Sequence, residues 1–156
     1  MIYLTRSKNG VIMPKVDRSA LVPHSAEQMY ELVNDVLSYP EFLPGCAGSR
    51  VISRDDTHQK ASIDVAKMGI RKTFSTSNTM VPGRQINIEL LDGPFKSLRG
   101  RWDFIPLADD ASKVIFHLEF EFNNPLIDFA FGKIFNELMA SQVQAFIRRA
   151  KEVYRD

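Results

Sequence analysis

Four side chains in this 156-residue chain have the chemistry of a nucleophile, a base or a soft metal ligand: Cys46 and the histidines His24, His58 and His117. Their spacing does not combine them. No histidine lies near Cys46 in sequence, and neither a His-x-x-x-His spacing nor a second cysteine occurs. A general base needs a protected position and a partner that tunes it. His24 precedes a helix cap, His58 falls in a hairpin turn and His117 alternates onto the polar side of a strand, so none acquires a partner from sequence. Cys46, among apolar neighbours, is expected to be a buried, inert thiol. These residues support no catalytic role and no metal site.

A second set is apolar. Trp102, Phe104, Phe116 and Phe120 fall on inward positions of strands, and Phe131, Phe135 and Met139 on the apolar stripe of a helix. Each taken singly is ordinary core. Together they line the space between a curling sheet and one helix, which side chains cannot fill everywhere, and an apolar pocket there suits an isoprenoid quinone or acyl chain. Tyr39, Phe42, Leu43 and Pro44 lie in a loop that is either a flexible lid over that cavity or a packed plug. A third set is cationic: Lys67, Arg71, Lys72, Lys96, Arg99 and Arg101. Residues 60–101 carry eight basic and three acidic side chains, a net +5, while 16–59 carry −4 and 102–147 carry −5. Such a strip suits nucleic-acid phosphates, with an ordinary solvated surface as the competing reading.

The elements that must position these residues follow from periodicity. Residues 15–22 read as a strand ending at Pro23. Ser25-Ala26-Glu27-Gln28 has the form of a capping box, and Met29, Leu32, Val33 and Val36 then follow at helical spacing. Two prolines and a glycine confine residues 38–46 to a loop with one short helical turn. From about Ala47, short alternating runs separated by turn residues indicate an antiparallel meander of about six strands. Asn124 and Pro125 then cap a long helix running to about Tyr154. Strand, helix, six strands and long helix make one α+β domain with a curved antiparallel sheet of about seven strands around the C-terminal helix.

Composition sets the outer limits. The chain is 44% hydrophobic with a net charge of +1, enough to bury a single core and too balanced for a generally basic polyanion binder. A lone cysteine suits a reducing, cytoplasmic compartment. The opening Met1-Ile2-Tyr3-Leu4 is too short for a signal-peptide core, and no stretch approaches the roughly 20 apolar residues of a membrane span. Met13-Pro14-Lys15 looks like an alternative start, so residues 1–13 are expected to be a disordered extension and 14–156 the domain.

Two strings extend this reading. Tyr39-Pro40-Glu41-Phe42-Leu43-Pro44-Gly45-Cys46 and, further on, Asp92-Gly93-Pro94-Phe95-Lys96-Ser97-Leu98-Arg99-Gly100-Arg101-Trp102-Asp103-Phe104 resemble the bacterial ribosome association toxin A family. They are similar also to the mitochondrial coenzyme Q-binding proteins, and the resemblance spans residues 14–154. It implies a START-like helix-grip fold of the polyketide cyclase superfamily, with a lipid-sized or quinone-sized cavity. For the bacterial branch it implies a non-enzymatic, type II toxin-like inhibitor that binds the large (50S) ribosomal subunit and blocks 70S formation, with a small antitoxin protein as partner. For the coenzyme Q branch it implies a chaperone holding ubiquinone or another lipid in support of respiration. Neither branch implies a required cofactor.

Overall fold

The computed structural model describes residues 2–6 and 12–154. In chain order these form β1 (Ile2–Arg6), β2 (Ile12–Val22), α1 (Ala26–Asn34), a 3-10 turn (Val36–Glu41), β3 (Cys46–Arg54), β4 (His58–Lys67), β5 (Ile70–Val81), β6 (Gln85–Asp92), β7 (Phe95–Ala108), β8 (Ala111–Phe122), α2 (Pro125–Ala140) and α3 (Gln142–Val153). The strands make one antiparallel sheet in the order β1-β2-β8-β7-β6-β5-β4-β3. No helix among the described residues is long and apolar enough to cross a membrane.

The capping box forms as expected. Ser25 Oγ accepts from the Gln28 amide at 3.1 Å, and the Gln28 side chain accepts from the Ser25 amide at 3.0 Å, which satisfies two donors that a helix start leaves open. The alternation in β8 is also realised: Val114, Phe116, Leu118, Phe120 and Phe122 are buried while the residues between them stay partly wet. These five and their cross-strand partners, such as Trp102 against Phe116 and Leu98 against Phe120, form the concave face that receives α2 and α3.

Two expectations change. Residues 2–6, placed in a disordered extension, form β1 along the free edge of β2, with Ile2 opposite Val16 and Arg6 opposite Ile12. Ile2-Tyr3-Leu4-Thr5 is a run of residues that favour strands, and β2 offers it an unpaired edge. Met1 and residues 7–11, also in that extension, lie outside the described residues. The long C-terminal helix is two helices broken at Ser141. The Ser141 hydroxyl donates to the Leu138 carbonyl at 2.7 Å, its amide is shared between the carbonyls of Glu137 and Leu138, and Gln142 Nε2 donates to the Leu138 carbonyl at 3.2 Å. Side-chain donors competing for one carbonyl interrupt the regular ladder and bend the segment.

The edge opposite β1 is β3, which among the described residues pairs only with β4 and carries register shifts between Cys46 and Gly48 and between Val51 and Ser53.

Candidate functional site

Between the concave sheet face and the two C-terminal helices lies a cavity of about 90 Å³. At about 30 Å³ per water this holds about three waters, which is room for a small head group and not for a long polyprenyl chain. Trp102, Phe116, Leu98 and Leu118 wall it from β7 and β8, Ala61, Phe74, Thr76 and Asn78 from β4 and β5, and Phe135, Leu138, Met139, Gln142 and Phe146 from the helices. Four of the seven expected lining residues are therefore here: Trp102, Phe116, Phe135 and Met139. Phe104, Phe120 and Phe131 are buried without lining the cavity. Phe104 packs edge-on against Tyr30 of α1, and Phe120 and Phe131 join a closed aromatic cluster around Phe135.

The loop over residues 39–46 forms the mouth. Tyr39, Leu43 and Pro44 line the cavity, and Pro44 is the one strongly exposed residue that does so. Phe42 lies outside the wall, edge-on to Phe146 with the Arg149 guanidinium 4.9 Å above its ring. In this structure the loop is a packed plug. The Tyr39 hydroxyl donates to the Val33 carbonyl, Ser49 Oγ donates to the Val36 carbonyl at 2.8 Å, and the Ala66 amide donates to Gly45 at 2.9 Å. Gly45 has φ of +78°, and a Cβ there would stand 2.6 Å from a Leu138 methyl, so both its backbone conformation and its contact with α2 require glycine. Burial pushes the Tyr39 hydroxyl well above its ordinary pKa, so it stays a neutral donor. The two strings singled out in the sequence converge at this place: Tyr39, Phe42 and Trp102 all stand 5.4–5.6 Å, centroid to centroid, from Phe146 of α3.

Cys46 is half-buried at the mouth and lines the cavity, in place of the fully buried thiol expected. Burial pushes its pKa up, so the thiol is protonated at neutral pH and a poor nucleophile. The polar wall residues Thr76, Asn78 and Gln142 were missed from sequence. Phe74-x-Thr76-x-Asn78-x-Met80 carried the signal, since strict alternation puts two polar residues on the same face as two core residues. No charged side chain lines the cavity, and no cluster of metal-ligating side chains occurs among the described residues.

The six cations do not form one strip. Arg99 and Arg101 face outward from β7, and Lys96 also reaches outward, but each meets an acid: Lys96 to Glu121 at 4.0 Å, Arg99 to Glu119 at 3.7 Å and Arg101 to Asp103 at 2.9 Å. Lys67, Arg71 and Lys72 sit at the tip of the β4–β5 hairpin, where the register puts Lys67 and Lys72 on the concave-face parity and Arg71 on the outer one. Arg71 pairs with Asp64 at 3.2 Å. Among the described residues Lys67 and Lys72 have no acidic partner.

His117 does have a partner. The β2–β8 register sets it opposite Asp17, and its Nδ1 stands 2.6 Å from Asp17 Oδ1, with Glu119 at 3.7 Å from Nε2. Burial raises the Asp17 pKa, but the hydrogen bonds with His117 and Lys15 outweigh it and hold the carboxyl below the ordinary value. One hundred residues separate the pair, so only the register reveals it. It lies on the outer sheet face, over an open depression lined by Asn87, Glu89, Arg99 and Arg101, and cannot act on a ligand in the cavity.

Comparison with known proteins agrees with this geometry. The family described as polyketide cyclase / dehydrase and lipid transport matches residues 22–147. A ribosome association toxin of Vibrio cholerae is 60% identical over 142 residues, covering 91% of this chain and 99% of that protein. A mitochondrial coenzyme Q-binding protein, homolog B of Xenopus laevis, is 29% identical over 140 residues, 87% of this chain and 57% of its own length. The solved structure of the Zhui aromatase/cyclase of Streptomyces sp. R1128 superposes with a TM-score of 0.75 over 92% of this chain and 97% of that one; at 16% identity the likeness is one of fold.

Proposed function

We propose a function from one premise: the chain belongs to the polyketide cyclase / dehydrase and lipid transport family and, within it, to the ribosome association toxins. On that premise it is a non-enzymatic cytoplasmic inhibitor of translation that binds the 50S subunit and prevents 70S formation, restrained by a small antitoxin protein. The observation that carries this reading is 60% identity to a ribosome association toxin across 99% of that protein's length. Lys67 and Lys72, free of acidic partners among the described residues, and Arg71 beside them are the cations best placed to meet RNA phosphates, because a paired cation releases fewer counterions on binding. Arg99, Arg101 and Lys96 contribute less, each being held by an acid.

The test is a sedimentation profile of cells expressing the protein. The expected result is loss of 70S particles with the protein in the 50S fractions; unchanged 70S particles and no protein in those fractions overturn the reading. A Lys67→Glu, Lys72→Glu double variant should release the protein from 50S particles at salt concentrations where the wild type stays bound.

A second reading rests on a separate observation, the cavity. It is apolar, partly enclosed and lined without a charged group, and the coenzyme Q-binding relative covers most of this chain. An isoprenoid quinone or similar lipid would place its head inside and its tail through the mouth at Pro44, supporting respiration. The two readings use different places in the molecule, the tip of the β4–β5 hairpin and the cavity, and are compatible. A cyclase activity is disfavoured, because the two titratable groups of the wall, Tyr39 and Cys46, are both held protonated by burial and the Tyr39 hydroxyl is committed to the Val33 carbonyl.

A further inference from the structure

Asn78 is 8% exposed, lines the cavity, and leaves its Oδ1 without a hydrogen-bond partner among the described residues. Its register partner across β4 and β5 is Gln59, 1% exposed, whose Nε2 donates to Asn34 while its Oε1 is likewise unpartnered. Two unpartnered acceptors on neighbouring buried residues, of which Asn78 alone lines the cavity, are costly unless something donates to them. Thr76, two residues earlier on the same face and also lining the cavity, supplies a hydroxyl that can donate in its turn. The Tyr39 hydroxyl is already committed to Val33. With no cation on the wall, a carboxylate or phosphate would enter without a counter-charge and lose its hydration.

We infer that Thr76 and Asn78 form the head-group subsite of the cavity, and that it takes a neutral head bearing a hydroxyl, which donates to Asn78 and accepts from Thr76. The inference rests on the second reading above, that the cavity holds an apolar ligand, and adds which ligands it selects. A quinol has such a hydroxyl; the corresponding quinone has only acceptors, and leaves Asn78 Oδ1 unpaired. The site therefore prefers the reduced form of a quinone and rejects fatty acid anions.

The test is calorimetric titration of the whole purified chain at pH 7.5 with decylubiquinol, decylubiquinone, 1-dodecanol and dodecanoate. The quinol is expected to bind about tenfold more tightly than the quinone, equivalent to raising the midpoint potential of the bound couple by about 30 mV, and dodecanoate to show no binding. Dodecanol binding as well as the quinol supports the subsite with the hydroxyl alone sufficient; quinol binding without dodecanol supports it with the ring required. Asn78→Leu should abolish the preference for quinol, and Thr76→Val, a gentler change, should weaken quinol binding on its own. Quinone binding as tight as quinol, or dodecanoate binding as tight as either, overturns the subsite. Failure of all four probes to bind the wild type is a different result: it removes the cavity reading itself.

Discussion

The concave side of the sheet holds two neighbouring regions built largely from the same kinds of residue, one solid and one hollow. Around Phe135, the rings of Phe74, Phe95, Phe120, Phe122 and Phe131 all lie within 4.8–6.0 Å of its centroid and close the space. A few positions along, Trp102 and Phe116 are as large and stack at 4.3 Å, yet a cavity remains beside them. The difference is what stands opposite. The solid region meets phenylalanine from β5, β7, β8 and α2; Phe74 and Phe135 stand at the boundary and face both regions, and beyond them the hollow one meets Ala61, Thr76 and Asn78 from β4 and β5. Large side chains on one wall do not define a pocket; small and polar ones on the facing wall do.

That comparison is breakable by mutation, and the largest effect belongs to the solid region. Phe120→Ala, at a site with 0% exposure, should cost about 3–5 kcal/mol by chemical denaturation, because closed packing cannot collapse into the space left. Trp102→Ala should fall at the low end, about 3 kcal/mol, since one side of the indole already borders empty space. Equal losses would mean that the two regions do not differ in packing.

Asn78→Leu sharpens the contrast in the opposite direction. It removes a buried, unpartnered oxygen at similar volume, so the ligand-free protein should gain about 1 kcal/mol, read as a higher Tm. A loss of that size would show that the amide is satisfied and not waiting for a ligand. On the outer face, Arg99→Ala with Arg101→Ala should change stability by no more than about 0.5 kcal/mol. The smallest effect concerns Asp17. Its carboxyl titrates below the ordinary value in the folded state, so the ionised form adds stability that is fully present above about pH 4 and fades as pH falls through the folded pKa. Asp17→Asn should therefore flatten the loss of stability below about pH 4 in an acid titration.

Much of this arrangement was legible from periodicity. The Ser25 cap, the meander and the inward set of β8 follow from local spacing, and the C-terminal segment was correctly helical. Its break was hidden because Ser141 and Gln142 are unexceptional in a helix until both reach for the Leu138 carbonyl. Four cavity residues were found and three were core, because inwardness is a property of one strand while lining depends on the strand or helix across from it. The cationic strip failed for a related reason: charge counted along a segment omits Glu119 and Glu121, which the register brings from β8, and Asp103 just beyond the segment's end. The His117 and Asp17 contact was beyond local reach, being set by pairing across 100 residues.

The irregular edge at β3 has its own consequence. A sheet that stops at an unpaired strand offers a row of amides and carbonyls to any second sheet, the first step of aggregation. Here the two register shifts bend that row, the charged side chains of Arg50 and Arg54 stand along it, and Ser49 is tied back to the 3-10 turn. A second molecule finds no straight strand of useful length to dock against, so this open side of the sheet resists edge-to-edge pairing.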